Sequence, residues 1–130
     1  MPYQIDWEPN GVRCKVHGSA TMGDVAQMFE DIAAHPQFEV LQYRITDFLD
    51  VTAHSATKEE VEDIVGLDFA HSLRNKQMLK ASVATDPKLL ALLHHWYRTN
   101  ANPERLGVFT SVDDARGWVT EQLKGQDIPQ

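Results

Sequence analysis

Three of the four helix starts in this chain directly follow a strand-like run, and that alternation restricts its fold more than any other feature. The starts are Thr21-Met-Gly-Asp24, Thr57-Lys-Glu-Glu60, Asp86-Pro87 and Ser111-Val-Asp-Asp114. Each places an N-cap residue at the head of an apolar-periodic segment, and an acid or a proline where the first turn favours one. Strand followed by capped helix, repeated, is the grammar of an α/β domain with parallel neighbours.

The segments between these starts complete the pattern. Residues 3–8 alternate in character and predict a strand, followed by Pro9-Asn10-Gly11, where Asn-Gly favours a tight hairpin turn at positive φ. Residues 12–17 alternate again, with Val12, Cys14 and Val16 on one face. Val25, Met28, Phe29, Ile32 and Ala33 follow helical spacing until His35-Pro36 ends the run. Residues 40–46 predict a third strand, and 47–56 a long loop. A second helix is expected over 57–75, with Val61, Ile64, Val65 and Phe69 inward and Gly66 held by close packing on a strand. Residues 78–85 and 105–110 predict the last two strands, with helices over 87–99 and 111–124. The expected architecture is a single-domain mixed five-stranded sheet with four helices: an antiparallel hairpin, then parallel βα units. The domain would span 1–124, leaving residues 125–130 as a frayed tail.

The bulk composition excludes several classes. A net charge of −7 and scattered Lys and Arg disfavour nucleic acid and anionic membranes as partners. The N-terminus lacks a basic region followed by an apolar stretch, and no run approaches the ~18 apolar residues of a membrane span, so a soluble cytoplasmic protein is expected. Cys14 is the single cysteine and reads as a buried, inert thiol in a reducing compartment.

Several stretches carry a likeness. These are the opening hairpin, Tyr43-Arg44-Ile45-Thr46-Asp47, Ala81-Ser82-Val83-Ala84-Thr85-Asp86, and Val108-Phe109 followed by Asp113-Asp114-Ala115-Arg116-Gly117-Trp118-Val119. In this order, over roughly residues 3–122, the chain resembles the SpoIIAA-like branch of the sulfate-transporter and anti-sigma-factor-antagonist (STAS) superfamily. The resemblance implies helices packed on a mixed sheet and no enzymatic machinery. Some members of that superfamily are interaction modules switched by phosphorylation of an Asp-Ser-x-Gly motif at a helix start. The matching stretch here, Asp47 to Thr57, lacks that motif, so the switch is carried over onto no residue.

Two groups of residues are candidates for function. Ligands of open parallel sheets gather outside the carboxyl ends of the strands. The predicted elements bring Asp47, Asp50, His54, Thr57, Asp86 and Ser111 towards that edge, with Thr52 and Ser55 beside them. The competing reading is that Thr57, Asp86 and Ser111 are simply caps. Three aspartates line a phosphate poorly, and the ligand spacing of a metal site is absent. His94 and His95 are adjacent on a helix and point about 100° apart, so they cannot share a metal. No cofactor or metal is therefore expected. The second group is the broad apolar third helix, where Leu90, Leu93, Trp96 and Tyr97 would meet a second subunit or an apolar ligand. The expectation is a non-enzymatic interaction or ligand-binding module, a homodimer by preference. One alternative is a binder of a small apolar or lipid-like molecule along the third helix. A weaker one is an enzyme using the strand-end acids.

Overall fold

The computed structural model describes residues 2–126. Its strands are β1 (Tyr3–Trp7), β2 (Gly11–Ala20), β3 (Tyr43–His54), β4 (Leu79–Val83) and β5 (Leu106–Phe109). Its helices are α1 (Met22–Ala33), α2 (Lys58–Ser72), α3 (Pro87–Arg98) and α4 (Val112–Gln126), with short 3-10 turns at Phe38–Val40 and Pro103–Arg105. The strands lie in chain order across one sheet; β1 and β2 are antiparallel and every later pair is parallel. The mixed five-stranded α/β architecture expected from the sequence is the one observed. The tail beyond Gln126 lies outside the described residues. Among the described residues no helix is long and apolar enough to cross a membrane.

The chain order of the strands decides where the helices go. Right-handed crossovers that always step in the same direction put every connecting helix on the same face. On that face Val12, Cys14 and Val16 of β2 pack against Val25, Met28, Phe29 and Ile32 of α1. Further along, Val61 of α2 and Trp96 of α3 cluster with Leu106 of β5. The last helix, α4, leads into no further strand among the described residues and covers the other face, where Ala115 and Trp118 meet Ile45, Ala81, Val83 and Phe109. Gly107 makes room for this layer, since a Cβ there would come within 2.4 Å of the Phe109 ring. Cys14 is buried as expected, with desolvation pushing its thiol pKa up to about 11.

Four local expectations are corrected. The hairpin turn closes between Glu8 and Gly11 without a positive φ at Asn10 or Gly11. Gly11 is there for space: a Cβ would meet the Tyr43 ring at 2.3 Å. The third strand starts later and runs much further, to His54, because β2 continues beside it as far as Ala20 through two register shifts. The 47–56 stretch is therefore mostly strand rather than loop. On α2 the inward position belongs to Asp68, while Phe69 is 51% exposed. Gly66 faces solvent with nothing near it, so strand packing does not explain it.

Candidate functional site

The caps at the carboxyl edge form as their sequences dictate. Thr21 and Thr57 each make a complete capping box, with Asp24 and Glu60. Asp86 accepts from the Leu89 N–H at 3.0 Å, and Ser111 Oγ from the Asp114 N–H at 3.1 Å. Of the six strand-end candidates, only His54 and Asp86 approach each other, with Nε2 3.7 Å from Oδ2. Asp47 is buried within β3, where it accepts from Arg13 at 2.8 Å and from the Leu49 N–H at 2.9 Å. Asp50 is paired with Lys15 at 2.8 Å on the exposed side of the sheet, and that ammonium lowers its pKa. Thr57 and Ser111 remain on their own helix ends. Among the described residues no three of His, Cys, Asp and Glu gather as metal ligands.

The apolar surface of α3 turns inward. Leu89, Leu93 and Trp96 are buried, and Leu90 packs beside Ala84, Leu89 and Leu93. Tyr97 is 38% exposed on the outer side. Where α1, α2 and α3 converge over the sheet, they leave an open cleft. Its walls include Phe29, Phe48, Ile64, Leu92, Leu93 and Trp96, and Ser82 on the floor is its single polar residue. The cleft encloses a void of about 60 Å³ and about 510 Å³ of empty space counted out to its mouth. A narrower cavity shares Met22, Val25, Phe48, Ala56 and Leu89 with it and reaches His54. His54 Nδ1 is buried there without a hydrogen-bond partner.

Beside the cleft, against its wall residue Phe29, sits a buried ion cluster that local sequence spacing does not announce. Arg44 donates to both oxygens of Asp68, at 2.8 and 2.9 Å, and lies 3.8 Å over the Phe29 ring. Lys80 Nζ is 3.6 Å from the same carboxylate. Its signal is spread over three elements. Asp68 continues the helical spacing of Val61, Ile64 and Val65, and Arg44 and Lys80 stand at inward positions of parallel strands. A charge on an inward face requires a partner.

No family model matches the chain, and no curated protein does. Among solved structures, an uncharacterized protein of the DUF3478 family from Shewanella loihica PV-4, described as having a SpoIIAA-like fold, superimposes with a TM-score of 0.52. The alignment covers 90% of this chain and 91% of that one, at 17% sequence identity. A likeness at that identity is one of fold, and it agrees with the strand order and helix placement described above: the chain adopts a SpoIIAA-like fold.

Proposed function

We propose that this SpoIIAA-like protein is a non-enzymatic binding module that takes the apolar part of a small or lipid-like molecule into the cleft between α1, α2 and α3. The observation that carries this reading is the cleft itself, open at one side and apolar on every wall except Ser82. It also accounts for the breadth of the apolar stripe on α3 without a second subunit. The enclosed void is small, so a ligand inserts a chain end or ring and moves α3 outward to admit more. His54, with its unpartnered Nδ1, stands in the adjoining cavity as a hydrogen-bonding group for a polar end.

Native mass spectrometry of freshly purified protein tests the reading, together with titration of a fluorescent acyl-chain probe. Trp96 lies in the wall and serves as energy donor. We expect a co-purified mass or saturable quenching that disappears in Trp96→Phe. Neither signal in the wild-type protein would sink the proposal.

Self-association is the second reading, and the exposed apolar residues that favour it lie at the end of α2 rather than on α3. Phe69 and Leu73 are 51% and 59% exposed and four residues apart on one helical face. Sedimentation at micromolar concentration should show a homodimer that Phe69→Lys dissociates; a monomer in both cases removes this reading. For an enzyme using the strand-end acids, support is lacking, since Arg13 holds Asp47 while a helix cap holds Asp86.

A further inference from the structure

The sheet edge opposite the caps carries a cavity of different chemistry. It lies where β4 and β5 begin and α2 and α3 end, and its walls include Ser72, Lys76, Lys80, Asn100, Asn102 and Arg105. No Asp or Glu lines it, although the chain has 19 acids against 12 Lys and Arg. About 390 Å³ of empty space is present out to its mouth.

Lys80 is the residue that gives this cavity meaning. It is 7% exposed, and its one ionic partner among the described residues is Asp68, 3.6 Å away. That carboxylate already accepts from both terminal nitrogens of Arg44. Two buried cations thus share one buried anion, and a positive charge is left uncompensated. An ammonium has three donors, and 3.6 Å is long for a hydrogen bond. Burial pushes the Lys80 pKa down, opposed by Asp68, and a second anion would raise it.

Helix C-termini are ordinary neighbours for Lys and Arg, but here the last carbonyls are already satisfied. Those of Ala70 and His71 accept from the Leu73 and Arg74 N–H groups, and that of Trp96 from Asn100 Nδ2. Arg105 is held at the rim by two hydrogen bonds to Gln77, each 2.9 Å. The cations are therefore not consumed by helix ends.

We propose that this cavity binds a small oxyanion of the phosphoryl type, with Lys80 at its floor and Lys76 and Arg105 at its rim. Lysine binds phosphate as a point charge, and the Asn102 amide adds a neutral donor, whereas Asn100 Nδ2 is already engaged by the Trp96 carbonyl.

The test is an amide NMR titration of the full chain near neutral pH with inorganic phosphate, ionic strength matched by chloride. Saturable shifts are expected at Lys76, Lys80, Asn102 and Arg105, with a phosphate-dependent rise in Tm. Lys80→Met keeps the apolar stem and removes the charge. It should weaken binding about tenfold, the worth of one charge-assisted contact, while Tm in chloride holds or rises. Should that variant fail to fold, Lys76→Gln on the exposed rim must weaken the titration severalfold. A parallel arm with glycerol phosphate separates the sources. Tighter binding than phosphate identifies the phosphoryl group of a larger molecule, and weaker binding identifies the free ion. Absence of saturable shifts in the wild-type protein, or equal titrations in wild type and in the folded variant, overturns the proposal.

Discussion

Asp68 is the residue on which most of the buried charge depends. Among the described residues its carboxylate is the one anion paired with both Arg44 and Lys80, and all three side chains are buried. Removing the Asp68 charge leaves two buried cations uncompensated in a poorly solvating interior, at a cost of about 3–5 kcal/mol. Asp68→Asn keeps the shape and removes the charge, so it should lower stability by that amount in urea denaturation. Burial alone would push the Asp68 pKa up; Arg44, then Lys80, pull it down from 3.8 to about 2. A folded-state pKa below the unfolded one means stability that is complete above about pH 4 and lost as the pH falls towards 2. The stability gap between wild type and Asp68→Asn should therefore narrow over that window. A gap that stays constant would show that the Asp68 charge is not what holds the cluster.

Two glycines separate what backbone and packing each demand of an element. Gly18 sits at φ +68° in β2, between the register shifts that let β2 and β3 run on together to Ala20 and His54. A Cβ there meets nothing within 4 Å, so Gly18→Ala isolates the backbone cost, about 1 kcal/mol of lost stability. Gly66 also meets nothing, but it lies within α2 at ordinary helical φ, so Gly66→Ala should add about 1 kcal/mol. Thermal denaturation of the pair must give opposite signs; equal signs would contradict this account. The same contrast explains what the sequence discloses. Caps such as Thr57 with Glu60 are legible because donor and acceptor lie three residues apart. The extension of β3 is not, because Asp47 and Asp50 look like loop residues until Arg13 and Lys15 are placed across from them, more than thirty residues away in the chain. The apolar face of α3 was readable by its spacing. The cleft under it was not, since Phe29, Phe48 and Ile64 come from three other elements.

Across the whole molecule, one topological fact governs where empty space collects. Three same-handed crossovers load α1, α2 and α3 onto one face of a twisted sheet, and α4 alone attends to the other, over β3 to β5. Three helices of 12, 15 and 12 residues converge without filling the space between them. A sealed core void of about 60 Å³ costs roughly 1.5 kcal/mol at ~24 cal/mol per Å³, which is the upper bound for this cleft because one side is open. A ligand that fills it offsets that cost, and so does a larger side chain in its wall. Ser82→Val tests both together: it replaces the single polar wall residue with apolar volume on a buried strand that favours branched side chains. Stability should rise by about 1 kcal/mol, and affinity for the acyl-chain probe should fall, because variant and ligand compete for one space. Stability that rises with undiminished probe binding would place the ligand elsewhere. Stability that falls would mean that the cleft tolerates no added volume, and that the space beneath α3 is smaller in solution than a ligand requires.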